Sequence, residues 1–194
     1  MKANELIKDL EYGGILGKVI AILVVTEWQK RGLPHIHLLL FVHPDDKPRT
    51  PEAIDKVVSA EIPNEITNPL LHKLVKDKMM HGPCHGFNPF SPCMVNASKK
   101  CEKDFPKKYI ERTITAENGR TFYRRRHIDQ GGHLAIKKVG GKELHLGNNW
   151  IVPYNPYLLL KYKCHINVEV CTTTASIKYI FKYVLKGRVL DNLI

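Results

Sequence analysis

Glu27-Trp28-Gln29-Lys30-Arg31-Gly32-Leu33-Pro34-His35-Ile36-His37 is the stretch that decides how this chain is read. An apolar, β-rich run from Ala21 to Gln29 enters it and a second, His35 to Val42, leaves it, with Gly32 and Pro34 in the short link, so the segment predicts an antiparallel hairpin. Side chains alternate faces along a strand, which puts Leu23, Val25, Glu27 and Gln29 on one face and His35, His37, Leu39 and Phe41 on one face of the partner. Pairing across a turn near Arg31 or Gly32 sets Glu27 opposite His35 or His37. Two imidazoles and a carboxylate, with Gln29 as supplement or substitute, leave room on one divalent ion for water and a phosphate oxygen, as a catalytic site requires. A His-x-His pair alone more often packs or meets solvent than binds metal. The continuation Leu38-Leu39-Leu40-Phe41 is apolar on both faces and predicts a central strand, where a buried imidazole needs a partner. Trp28 faces away from Glu27 and is expected to pack.

Near the C-terminus, Lys178-Tyr179-Ile180-Phe181-Lys182-Tyr183-Val184-Leu185-Lys186-Gly187 spaces two tyrosines one helical turn apart, so both phenols leave one side of a helix predicted near Ser176 to Lys186. Ile177, Ile180, Phe181, Val184 and Leu185 make the stripe that such a helix buries, and the tyrosines fall almost opposite it. Lys178, Lys182 and Lys186 form a row beside them. Ammonium groups there draw phosphates and favour the phenolate of a group whose reference pKa is about 10. A solvated polar face is the plain alternative; the metal segment in the same chain turns the reading toward Tyr179 and Tyr183 as nucleophiles assisted by Lys182.

Thirty Lys and Arg against 19 Asp and Glu give a formal net charge of +11. That excess favours phosphate-rich partners and salt-sensitive binding, without choosing DNA over RNA or an anionic membrane surface. No apolar stretch reaches the ~20 residues of a membrane span. The run Val19 to Val25 is too short for a signal peptide, and no Gly-x-x-x-x-Gly-Lys-Ser/Thr loop provides for ATP-driven unwinding. With 194 residues, 43% of them hydrophobic, the chain reads as one domain, 1–194, carrying a proline-rich, cysteine-bearing insertion at about 44–127 and no helicase domain. Helices are predicted around Glu5 to Glu11, from Pro51 to Ser59 and from Asn68 to Met80, and a strand over Ile166 to Val170.

Inside the insertion, His81, Cys84, His85, Cys93 and Cys101 lie close in sequence. Five cysteines, an odd number without a secretory signal, argue for a reduced compartment rather than a disulfide scaffold. Cys84, Cys93 and Cys101 with either His81 or His85 would close a tetrahedral structural Zn²⁺ site; ordinary free thiols are the alternative, because the spacing is not a standard zinc-finger one. Cys164 and Cys171 read as core residues. Arg120, Arg124, Arg125 and Arg126, interleaved with Phe122 and Tyr123, suit single-stranded DNA, with cations along the backbone and rings against bases, although a solvated basic edge explains them too.

The pattern Glu-x-x-x-x-Gly-x-Pro-His-x-His followed by Tyr-x-x-x-Tyr resembles the replication-initiator (HUH endonuclease) part of Helitron rolling-circle transposases, the Helitron helicase-like domain. Met80-His81-Gly82-Pro83-Cys84, Ser91-Pro92-Cys93-Met94, Tyr123-Arg124-Arg125-Arg126 and Trp150-Ile151-Val152-Pro153-Tyr154-Asn155-Pro156-Tyr157 carry the likeness further, over about Leu10 to Gly187. The resemblance implies an α+β fold with a central antiparallel sheet and flanking helices, the ferredoxin-like or RRM-like initiator fold, here without its first strand and its Thr-x-Asn-Pro-like motif. It implies that His35, His37 and Glu27 bind Mg²⁺ or Mn²⁺ and that Tyr179 and Tyr183 are paired nucleophiles. One attacks a phosphodiester to leave a 5′-phosphotyrosine, and the second allows a further strand transfer. Arg120, Arg124, Arg125, Arg126, Lys178 and Lys186 would contact single-stranded DNA, a helicase would act in trans, and the location would be nuclear in a eukaryote. The rivals are a catalytically inactive, basic DNA-binding remnant and a metal-stabilised interaction domain.

Overall fold

The computed structural model describes residues 2–28, 34–94 and 100–171. They divide between two compact units, the first reaching to Arg49 and the second formed by Thr50–Ala116 and Thr121–Val170. Gln29, Lys178, Tyr179, Lys182, Tyr183 and Lys186, with the helix predicted around them, lie outside the described residues.

The first unit is an amphipathic helix packed on a hairpin. Helix α1 (Lys2–Tyr12) buries Leu10 and packs against β1 (Val19–Trp28), which pairs antiparallel with β2 (Pro34–Val42). The predicted hairpin forms, in the register Glu27 opposite His35, Val25 opposite His37 and Leu23 opposite Leu39. Its base is closed by Lys18 N–H donating to Asp46 Oδ2 at 2.7 Å and His43 N–H donating to the Lys18 carbonyl at 2.8 Å. Gly17 is required there: at φ +96° any β-carbon would lie 2.8 and 2.9 Å from the Asp46 and Val42 side chains.

The second unit is held together by irregular chain around three short helices. Thr50 caps α2 (Pro51–Val57) by accepting from Ala53 N–H at 3.2 Å, and Asn155 caps α4 (Pro156–Tyr162) by accepting from Leu158 N–H at 3.0 Å. Each cap is followed by proline in the first helical position, where its missing N–H costs nothing. The third predicted helix forms as α3 (Pro69–Leu74) continued by a π-helical turn, Val75–Met79. Strands β3 (Ile114–Thr115) and β4 (Thr121–Phe122) pair, as do β5 (Ala135–Val139) and β6 (Lys142–Leu146) across Gly140-Gly141, both at positive φ as a tight hairpin turn demands. Trp150 to Tyr154 threads the core, with Val152 N–H donating to the Met79 carbonyl at 2.7 Å and Tyr154 N–H to the Ser59 carbonyl at 2.9 Å.

The architecture is α+β, as expected, but among the described residues it contains three separate two-stranded sheets rather than one central sheet. Ile36 and Phe41, 40% and 43% exposed, show why β2 is not a central strand here: neither face is fully covered. Trp28, expected to pack, is 74% exposed. Ile166 to Val170 is not a strand. Its backbone is spent elsewhere, Val168 N–H on the Pro153 carbonyl at 3.1 Å and Val170 N–H on Tyr123 Oη at 2.7 Å, while Val168 and Val170 pack on Ile54, Val58, Ala60 and Tyr123. Cys164 and Cys171, read as core, are exposed. Among the described residues no helix is long and apolar enough to cross a membrane.

Candidate functional site

Strand pairing places Glu27, His35 and His37 on one face of the hairpin, in a gradient of burial along that face. Val25 and Leu39 are buried at its base, and further along the His37 and Glu27 side chains are half-buried at 20% and 40% exposure. His35, in register with Glu27, is exposed, so the desolvation expected of both imidazoles acts on His37 alone. His37 Nε2 lies 3.1 Å from Glu27 Oε2. That contact is a hydrogen bond between imidazole and carboxylate, and it brings two of the three expected ligands together, while His35 is not gathered with them into a three-ligand group. The donor set, imidazole and carboxylate, suits Mn²⁺ or Mg²⁺ as well as zinc.

A second donor set is more tightly gathered. His81 Nδ1/Nε2 and the sulfurs of Cys84, Cys93 and Cys101 all lie within 4.8 Å of one another, and among the described residues no other group of three or more such ligands converges in this way. The structure therefore holds a His/Cys cluster able to take a metal ion. His81 is fixed by its N–H donating to the Trp150 carbonyl at 2.8 Å and by its ring stacked on Phe105, centroids 4.3 Å apart. Cys84 and Cys101 are buried, and Cys93 is partly so. Cys93 and Cys101 are braced by the bridge between Met94 and Cys101 and by Glu102 N–H donating to the Cys93 carbonyl at 2.8 Å. Of the two histidines the sequence left open, His81 joins the sulfurs. His85, at φ +55°, sends its Nε2 to the Phe105 carbonyl at 2.7 Å.

Electrostatics in the cluster are divided. Burial first, and then the neighbouring Cys101 and Cys93, push the Cys84 thiol up to about 12. At Cys101 burial also acts upward, but the Phe105 and Lys103 N–H groups and the Cys93 and Cys84 thiols outweigh it and lower the pKa. Burial, followed by Lys107 and Lys103, lowers that of His81 and keeps its imidazole neutral.

Within the arginine run, Arg125 turns inward while Arg124 and Arg126 stay partly exposed and paired with acids. Arg125 is buried, with Nη1 donating to the Ile151 carbonyl at 2.6 Å and the Asn148 carbonyl at 2.7 Å. Arg126 grips Glu61 with Nε at 2.9 Å and Nη2 at 2.6 Å, while Arg124 lies 3.3 Å from both Asp55 and Glu61. These three guanidiniums are engaged by protein acceptors. Arg120 is exposed. Sequence reasoning missed Glu61 and Asn148, which receive this run. Asn148 is fully buried, accepting from Ile62 N–H at 2.7 Å and donating to the Arg126 carbonyl at 2.9 Å. No local spacing signals this pairing, since Glu61 lies 65 residues from Arg126 in sequence.

Glu61 carries a pH consequence. Burial alone raises its pKa, but the hydrogen bonds and charge of Arg126, then the charge of Arg124, hold it below the ordinary 4.5. A depressed folded-state pKa gives stability that is fully present above the unfolded value and lost as pH falls through the folded one. Urea midpoints of the second unit are therefore expected to fall below about pH 4.5, the unfolded value. Glu61→Gln should lose stability at neutral pH and show a shallower acid dependence. An unchanged acid slope in that variant would refute the assignment.

Residues 1–40 match the family model described as Helitron helicase-like domain at N-terminus. The match runs through α1, β1, Glu27, His35 and His37, and ends before the Cys/His cluster. The Helitron resemblance read from the sequence is thereby shown over this segment, and it points to a transposon-associated protein. No curated protein matches the chain.

Proposed function

We propose that the chain is the nicking and joining endonuclease of a Helitron-type rolling-circle transposon, built on the HUH initiator fold and acting on single-stranded DNA at transposon ends or targets. The observation that carries this reading is the 3.1 Å approach of His37 to Glu27, on the same hairpin face as His35 and inside the matched segment. Glu27, His35 and His37, with Gln29 as a further candidate ligand, would hold a divalent ion, Mg²⁺ or Mn²⁺, which would withdraw charge from the scissile phosphate. The phenolic oxygen of Tyr179 or Tyr183 then bonds to phosphorus as the P–O3′ bond breaks. This leaves a 5′-phosphotyrosine and a free 3′-hydroxyl, and the tyrosine's proton passes to solvent. Lys182 favours the phenolate, and the covalent link conserves the bond energy, so rejoining needs no ATP. In the second unit, Lys76, Lys78, Lys137 and Lys138 line one groove and would add cationic surface for the strand. A helicase would supply the single strand.

The test incubates the protein with labelled single-stranded oligonucleotides and Mg²⁺ or Mn²⁺ and resolves it on a denaturing gel. A metal-dependent protein-DNA adduct is expected, reduced by Tyr179→Phe or Tyr183→Phe and absent from the double variant. An adduct that survives the double variant, or DNA binding with no adduct across varied sequences, would overturn the reading.

A further inference from the structure

We propose that His81, Cys84, Cys93 and Cys101 hold one structural Zn²⁺ ion that ties the Cys93-Met94 and Cys101 segments to the His81–Cys84 corner of the second unit. The inference is independent of the nuclease reading, since it concerns different residues in the other unit.

Three sulfurs and one imidazole nitrogen make a complete tetrahedral set, the closed coordination of a structural rather than a catalytic zinc. With Zn–S of about 2.3 Å and Zn–N of about 2.0 Å, a sulfur and a nitrogen on one zinc stand about 3.6 Å apart. Cys101 Sγ and His81 Nε2 already stand 3.5 Å apart. The whole set, spread over no more than 4.8 Å, needs only a small contraction of the remaining edges, about 3.8 Å between sulfurs in a zinc tetrahedron. Two of the sulfurs have polar neighbours. Lys103 N–H donates to Cys101 Sγ at 3.4 Å, and Ser91 Oγ lies 3.2 Å from Cys93 Sγ. Such hydrogen bonds to ligand sulfurs are the supporting shell that metal sites use.

The local fold also calls for a cross-link. Cys84 is fully buried and Cys101 is 4% exposed, yet the chain bearing them contains no helix and only isolated bridges among its described residues, with non-glycine residues His85 and Asp104 at positive φ. Chain of this kind supplies little of its own core, and a metal holding four side chains compensates, as it does in small metal-dependent domains. Zinc binding to thiolates is tight enough to make folding of this part conditional on the metal.

The experiment measures metal content and thiol accessibility on the whole chain. Protein purified under reducing conditions is expected to carry one zinc per chain. Brief alkylation should modify the exposed Cys164 and Cys171 and spare the other three cysteines, and chelation should open all five. Co²⁺ in place of zinc is expected to give the absorption of a tetrahedral thiolate site, lost in Cys84→Ser and kept in Cys164→Ser. If Cys84→Ser does not fold, the wild-type alkylation pattern decides alone. An alkylation pattern that chelation leaves unchanged, or Co²⁺ uptake without thiolate charge-transfer bands, overturns the proposal.

Discussion

Arg125→Met is expected to destabilise the second unit by about 1–3 kcal/mol, the cost of removing the donor from buried carbonyl acceptors. The side chain is 5% exposed and burial draws its pKa down to about 10, opposed by Glu169, Tyr123 and Glu61, so it remains charged at neutral pH. Its Nη1 satisfies the carbonyls of Asn148 and Ile151 at 2.7 and 2.6 Å, with that of Ala60 further off at 3.4 Å. Methionine fills most of the volume but leaves the Ile151 carbonyl without its donor and the Asn148 carbonyl with only the Ile151 N–H at 3.2 Å, a penalty of about 1–3 kcal/mol for each unsatisfied group. Urea unfolding followed through Trp150, itself buried, reads the loss directly. A shift below about 1 kcal/mol would show that the guanidinium is not part of the core.

The second large effect belongs to the hairpin. His37→Ala and Glu27→Ala are each expected to lower adduct formation at limiting metal by about 100-fold or more, because even residues one shell out from a metal cost 10–100-fold when removed. Raised Mn²⁺ should restore part of the rate, which a folding defect would not allow. His43→Ala is the control: His43 follows β2 and engages Asp45 at 3.4 Å, off the ligand face. Its rate should match the wild type. Equal activity in His37→Ala and wild type at every metal concentration would remove the hairpin from the chemistry.

The parts of this fold legible in the sequence are those fixed by local physics. Period-two alternation around a Gly/Pro link gave the hairpin and put Glu27 opposite His35 or His37, of which the structure selects His35, and Thr50-Pro51 announced one capped helix start, whereas the Asn155-capped α4 was not anticipated. Where long-range packing decides, the sequence misleads. Tyr123, Arg124, Arg125 and Arg126 look like an exposed basic edge, yet adjacent residues in extended chain point to opposite sides, and Arg125 points inward to carbonyls of residues far away in sequence. Glu61 and Asn148 could not be paired with that run from spacing alone. Ile166 to Val170 has a strand's composition, but its N–H groups are taken by Pro153 and the Tyr123 hydroxyl. The Cys/His set was visible as a set. Which histidine joins it was not, because the choice rests on His85 turning to the Phe105 carbonyl.

The most direct measurement isolates the covalent adduct formed by wild-type protein with a single-stranded oligonucleotide and Mn²⁺, digests both partners, and locates the attached nucleotide by mass spectrometry. The account predicts a nucleotide joined through its 5′-phosphate to Tyr179 or Tyr183, and none when His35 and His37 are both replaced by alanine. Attachment to any other residue, or protein that binds the strand under these conditions and carries no nucleotide, would contradict it.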